Sequence, residues 1–200
     1  MTAELSWRES LDGPRSLGTG PDIAVVALED PGVIELGLYP GAESHHAGLE
    51  QKLGLSLPQT PWGVSTAGSR TAIWVAPRRW RLLVPRAEAP ALAAELTSGD
   101  AGLAVDETGA LTALRLVGAV GHEALARTCA QDIFGIAKGS ARGTLLAQVP
   151  TLIVHENLVT DCWLILVPRS RSLHVARALV DAAQAPDRLE LFRKACPPPV

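Results

Sequence analysis

Lysine is scarce in this 200-residue chain, with three residues against fifteen arginines. The 18 basic residues are scattered among 21 acidic ones, for a net charge of −3. Nucleic-acid binding needs a clustered basic footprint, and no such cluster is present, so that class is set aside. Cysteine is equally sparse: Cys129, Cys162 and Cys196. The number is odd and the spacings fit no zinc or redox motif, which removes a disulfide framework and a cysteine-held metal. No apolar run approaches the ~20 residues that span a bilayer. The opening M-T-A-E-L-S-W-R-E-S lacks the apolar segment of a secretory signal. The expectation is a reduced, cytoplasmic protein.

What is present is core-forming material. Hydrophobic residues make up 47% of the chain and charged residues 20%, too apolar a balance for disorder. Only eight aromatics occur, but five are Trp. Each buried Trp removes roughly 150–250 Å² from water, so these five are expected to anchor packing or an interface. The clearest pattern is an internal repeat. Residues 80–86 read W-R-L-L-V-P-R and residues 163–169 read W-L-I-L-V-P-R, identical at five of seven positions and 83 residues apart. Each is a strand-type run closed by proline, which has no N–H to give a ladder. Each runs into a helical pattern. Self-similarity at a fixed offset marks a duplicated unit.

Taken in order, residues 1–20 read as a polar, mobile leader. Residues 23–28 and 33–38 read as two strands of one hairpin around Asp30-Pro31-Gly32. A short helix through Leu49 and Leu53 ends at Gly54. Residues 56–69 read as an irregular connection. Residues 71–76 and the Trp80 strand form a hairpin around Pro77-Arg78, followed by a helix over 89–97 carrying Leu92 and Leu96 inward. The second unit reads as strands over 102–106 and 111–117 around residues 107–110, a helix over 122–129, and a loop over 132–142. Strands over 143–149 and 151–155 follow, broken at Pro150. Residues 162–167 are apolar on both faces and are placed at the centre of a sheet. The last helix covers about 170–183, with Ser170 or Ser172 as N-cap and Leu173, Ala176, Leu179, Val180 and Ala183 inward. Residues 185–200 read as a tail. The fold class is therefore α+β, an internally duplicated β-α-β-β-α unit. Its single domain, 21–184, divides into repeats of about 21–100 and 101–184.

Candidate chemistry is thin. His122-Glu123 opens an H-E-x-x-H pattern, but Ala126 stands where the second histidine belongs. Gly18-Thr19-Gly20 begins a dinucleotide fingerprint, but Ile23 replaces its third glycine. The glycine-bearing stretch 135–144 with Lys138 fits no phosphate-loop spacing. His45-His46 have no neighbouring Cys or Asp and read as solvated. His155, Asp161 and Ser170 supply the residue types of a hydrolase triad, but no nucleophile elbow surrounds Ser170. Asp106-Glu107 read as a solvated strand end, and Cys129 and Cys162 as inert core thiols. Arg86 and Arg169 occupy equivalent points of the repeats, bonding loop carbonyls or acids, or else meeting a partner. No catalytic, cofactor-binding or metal-binding residue is therefore expected on this chain.

Three segments together carry a family resemblance: residues 71–85 (T-A-I-W-V-A-P-R-R-W-R-L-L-V-P), 114–132 (L-R-L-V-G-A-V-G-H-E-A-L-A-R-T-C-A-Q-D) and 163–170 (W-L-I-L-V-P-R-S). With the markers Asp106, Cys129, Asp132, Thr144, Pro168 and Arg169, they resemble the gamma subunit of heterotetrameric sarcosine oxidase over about 23–183. The resemblance implies the fold of the folate-binding domain of aminomethyltransferases, itself a duplicated α+β unit. It implies an accessory role beside alpha, beta and delta subunits, with direct contact to alpha. FAD, FMN, NAD and tetrahydrofolate would sit on those partners. The complex would demethylate sarcosine oxidatively to glycine, passing the one-carbon unit to tetrahydrofolate and electrons to oxygen. A second family, of stand-alone folate-binding proteins, carries K-G-C-Y-x-G-Q-E. Residues 138–145 here read K-G-S-A-R-G-T-L, which keeps the lysine and both glycines and loses the thiol, the tyrosine and the charged end. A stand-alone folate- or pterin-binding module, with Trp62 or Trp74 stacked on the ring, is the alternative.

Overall fold

The structure, a computed structural model, describes residues 16–20, 23–28, 31–97, 101–158 and 161–184. Eleven strands and four α-helices occur among them. The first half holds β1 (Ser16–Gly20), β2 (Ile23–Ala27), β3 (Pro31–Leu38), α1 (His46–Leu53), β4 (Val64–Ala67), β5 (Arg70–Ala76), β6 (Arg79–Pro85) and α2 (Ala89–Thr97). The second holds β7 (Gly102–Asp106), β8 (Leu111–Val117), α3 (Gly121–Thr128), β9 (Ser140–Leu146), β10 (Val149–His155), β11 (Cys162–Pro168) and α4 (Ser172–Gln184). No helix among the described residues is long and apolar enough to cross a membrane.

The strands form two antiparallel sheets, ordered β4-β5-β6-β3-β7 and β1-β2-β8-β11-β10-β9. One face of the first is covered by α1 and α2, through Leu49, Leu53, Leu92 and Leu96. One face of the second is covered by α3 and α4, through Leu125, Val175, Ala176 and Leu179. The other two faces meet each other, bringing Val33, Ile73 and Leu83 against Ala113, Ala141, Val154, Leu164 and Leu166. The layers run helix, sheet, sheet, helix.

This explains the repeated Trp strands. On β6, Trp80, Leu82 and Val84 face the helices and Leu83 faces the other sheet. On β11, Trp163, Ile165 and Val167 face the helices while Leu164 and Leu166 face the other sheet. The central strand expected over 162–167 is thus β11, flanked by β8 and β10. After each copy the backbone turns alike, with Pro85 at φ −55°, ψ 133° and Pro168 at φ −52°, ψ 130°, each leading into a 3₁₀ turn before its helix.

Strand partnering differs from the sequence reading. β2 and β3 do not form a hairpin: β2 pairs with β8, and β3 pairs with β6 and β7. Likewise β7 and β8 lie in different sheets. The leading strands of the first half, β1 and β2, and the leading strand of the second, β7, are each exchanged into the sheet of the other half. The crossings match: the Leu28 N–H donates to the Ala113 carbonyl at 2.9 Å, and the Glu107 N–H to the Val33 carbonyl at 2.7 Å. Alternating hydrophobicity reports which face is buried, not which neighbour is bonded, so the exchange was invisible in the sequence.

Smaller corrections have local causes. Ser16–Gly20, read as leader, pairs with β2. Residues 64–67, read as irregular, form β4 on the edge of a sheet. Pro150 lies inside β10 rather than breaking it. The β10–β11 register covers only residues 152–155, so the missing N–H of Pro150 falls beyond the pairing with β11. The turn before β10 is made by Ala147 and Gln148, both at positive φ, the conformation of a tight hairpin. On α4, Leu173 is exposed and Val175 is buried in its stead. Ser170 falls in the 3₁₀ turn Arg169–Arg171, and the Ser172 hydroxyl donates to the Arg169 carbonyl at 2.9 Å. The residue 185–200 tail lies outside the described residues.

Two substitutions probe this arrangement. Leu166→Ala removes a 2%-exposed side chain from the inter-sheet layer and is expected to cost about 2–5 kcal/mol in a urea melt. Gly102→Ala is expected to cost at least as much as ordinary overpacking, about 1–3 kcal/mol. A Cβ there would lie 2.1 Å from the Gly37 carbonyl oxygen, at the start of the exchanged strand. An unchanged melting curve for Gly102→Ala would mean that β7 is not seated as described.

Candidate functional site

Titratable side chains gather at one end of the second sheet, around Trp163. In the β10–β11 ladder Trp163 stands directly opposite His155. Their rings stack at 4.3 Å between centroids, 11° from parallel. His155 is buried. Its Nδ1 lies 2.8 Å from the Ile136 carbonyl and its Nε2 lies 2.8 Å from Asp161 Oδ1. Both partners are acceptors, so His155 satisfies both only with two protons, or with a cation in place of one. His122, on the first turn of α3, packs edge-on to both rings, 5.2 Å from each, and stacks on the exposed Phe134. Its Nδ1 is 3.1 Å from Asp161 Oδ2. The Lys138 ammonium is 3.4 Å from Asp161 Oδ1.

Asp161 is thus shared by two imidazoles and an ammonium. The hydrogen bond from His155 is the main cause holding its carboxyl below the usual value, with the charges of His122 and His155 and the hydrogen bond from Lys138 helping. Beside it, Glu156 takes a two-pronged bond from Arg115, Nε to Oε2 at 2.7 Å and Nη2 to Oε1 at 2.8 Å. That bond raises the Arg115 pKa. The Cys162 thiol lies 3.4 Å from Glu156 Oε2. Burial, reinforced by that carboxylate, pushes the thiol up to about 11. This fits an inert core thiol. Cys129 is half-buried and free, and Cys196 lies outside the described residues.

The first half carries a simpler version of this corner. His46, on the first turn of α1, packs edge-on to Trp80 at 5.5 Å, as His122 does to Trp163. There the Trp80 indole N–H donates to the Pro58 carbonyl at 2.7 Å. The Trp163 indole N–H is buried with no hydrogen-bond partner among the described residues. His45, expected alongside His46 as a solvated pair, precedes the helix with Nδ1 3.5 Å from the Ser44 hydroxyl.

The other sequence candidates stay apart. Ser170 is not part of the His155–Asp161 pair, so the triad residue types do not assemble. Asp106 Oδ1 accepts from the Thr108 N–H at 2.9 Å in a turn. Asp132 Oδ1 accepts from the Gly135 N–H at 3.2 Å. The Arg169 N–H donates to the Ala110 carbonyl at 2.8 Å. Trp62 and Trp74 pack edge-on to each other, 6.0 Å apart, and Trp62 lies over Gly143, where a Cβ would come within 2.9 Å of the ring. These two rings are used in packing.

A profile of the family "Sarcosine oxidase, gamma subunit" matches residues 41–185. The chain belongs to the sarcosine oxidase gamma subunit family. Solved structures show the same fold at low identity. One chain of the heterotetrameric sarcosine oxidase from Corynebacterium sp. U-96, in complex with pyrrole 2-carboxylate, superposes with a TM-score of 0.72 and 23% identity, over 84% of this chain and 87% of that one. Aminomethyltransferase T of the glycine cleavage system from Bartonella henselae gives 0.57 and 16% over 88% of this chain, which spans about half (52%) of that longer protein. A search of curated protein sequences finds no match. The α+β, aminomethyltransferase-like fold expected for the family is therefore the fold observed.

Within this gamma-family fold, the Asp161 cluster has a defined acid response. A carboxyl whose folded pKa is lowered stabilises the protein above its unfolded value, near 3.8, and that contribution fades as pH falls through the folded value. Asp161→Asn is therefore expected to lower the urea midpoint at pH 7, with the difference from wild type closing below about pH 4. An equal difference at both pH values would remove the charge from the explanation.

Proposed function

We propose that this chain is the gamma subunit of a sarcosine oxidase complex and works there as an accessory, assembling with larger subunits and leaving the chemistry to them. The family match over residues 41–185 carries this reading. The fold, like that of a chain of a heterotetrameric sarcosine oxidase, supports it. On this reading the direct partner is an alpha subunit, with beta and delta completing the complex. FAD, FMN, NAD and tetrahydrofolate reside on the partners, and the assembly is cytoplasmic. Sarcosine is demethylated to glycine, the one-carbon unit passes to tetrahydrofolate, and oxygen is reduced to peroxide. The stand-alone folate or pterin module is not favoured. Trp62 and Trp74, the rings it would use for stacking, pack against each other, and Trp62 also lies over Gly143.

An affinity-tagged copy recovered from its native host is expected to bring down larger chains with a yellow flavin spectrum. In that complex, Asp106→Asn and Asp132→Asn, both in turns, are expected to leave kcat per assembled complex unchanged. A fall of more than about tenfold with assembly intact would contradict the accessory role, because losses of that size accompany removal of a transition-state contact. A colourless lone chain that quenches its Trp fluorescence on adding tetrahydrofolate would overturn the subunit reading.

A further inference from the structure

We propose that His122, His155 and Asp161 form a binding site for one divalent transition-metal ion of the zinc type, a site independent of the flavins and folate assigned to the partners. One ligand atom from each of the three residues lies within 4.8 Å of the other two, and the nitrogens turned toward the Asp161 carboxylate are His122 Nδ1 and His155 Nε2. A four-coordinate zinc ion at 2.0–2.1 Å from each ligand holds its ligands about 3.3 Å apart. Small movements of these three side chains would therefore close the site. Asp161 is exposed, at the lead-in to β11, and its short side chain would make most of that adjustment by exchanging its contact with Lys138 for the ion.

Four observations favour an ion here. First, His155 is aimed in the way that metal-binding histidines are. Its Nδ1–H is tied to the Ile136 backbone carbonyl at 2.8 Å, which directs the Nε2 lone pair at Asp161 and fixes the ring. Second, the buried ring faces acceptors on both sides, so the position between Nε2 and Asp161 calls for a cation. A metal ion takes the place of the proton, which is released on binding. Third, two imidazoles and one carboxylate are borderline donors. They suit zinc, cobalt, nickel or copper and disfavour calcium and magnesium, which take oxygen ligands. Fourth, Trp163 and Phe134 wall the two imidazoles, lowering the local dielectric and strengthening an ion–ligand contact. The ligands come from α3, the end of β10 and the lead-in to β11, so an ion would pin three separated segments. With three protein ligands, a fourth position stays open to water. Lys138 is the opposing element: its ammonium sits 3.4 Å from Asp161 Oδ1 and would repel the ion.

This opposition makes the proposal testable in both directions. The full-length chain, stripped with chelator and dialysed, would be titrated with ZnCl2 by calorimetry and with CoCl2 by visible absorption. One equivalent is expected to bind, with proton release, intense ligand-field bands for cobalt and a rise in Tm that chelator reverses. Asp161→Asn, close to isosteric, is expected to weaken binding more than tenfold. Lys138→Gln is expected to tighten it. His122→Asn, at a partly exposed ring, is expected to weaken binding and serves if Asp161→Asn fails to fold. The proposal is overturned if no saturable one-to-one binding appears. It is equally overturned if Asp161→Asn binds like wild type, which would place the ion elsewhere, such as at His45-His46, or if Lys138→Gln binds more weakly. None of these outcomes depends on whether the chain recovers a flavin-bearing partner.

Discussion

The contact between the two sheets is the constraint on which the rest depends. Each sheet covers one face with its own helices, which leaves a second apolar face on each. Val33, Ile73 and Leu83 on one side and Val154, Leu164 and Leu166 on the other have no other cover among the described residues. Burying them against each other joins the halves into one body. It also forces β11 to be apolar on both faces, because its outward residues meet helices and its inward ones meet the opposite sheet. Where this contact runs out, polar residues return. Arg81, next to Leu83 on β6, is held by Glu35 and Glu107 at 2.6 Å each.

The exchange of leading strands reinforces that contact. β2 belongs to the first half in sequence and to the second sheet in space, and β7 does the reverse. Separating the halves would strip β1 and β2 from one sheet and β7 from the other and leave unpaired backbone groups along both breaks, a costly state. The two crossings use equivalent hydrogen bonds, Leu28 to Ala113 and Glu107 to Val33, so the duplication seen in the Trp strands extends to the backbone.

Duplicated architecture carries unequal chemistry. Both copies place a histidine from a helix start edge-on to the repeated Trp. Only the second adds His155, Asp161 and Lys138 around it. The first closes its indole with the Pro58 carbonyl. The scaffold therefore supplies one aromatic corner twice, and the loops decide whether it becomes packing or a polar cluster. The first corner closes on its own backbone, and the second keeps the polar groups on which the ion proposal rests.

Much of the architecture was legible without coordinates. The repeat, the helices at 46–53 and 89–97, the Gly54 terminator at φ 61° and the fully apolar β11 follow from local spacing, backbone preference and the need to bury both faces of a strand. So did the family, because its pattern of apolar positions is a property of the sequence. Sheet partners and the Asp161 cluster were not legible. His122 lies 33 residues before His155, and each looked like a fragment of a failed motif. His155 and Trp163 become neighbours only through the β10–β11 register. Hydrophobic periodicity is a local quantity and fixes which way each side chain points. Which strands lie side by side is decided by how the two halves bury their remaining faces, a balance summed over the whole chain and settled only in the folded structure.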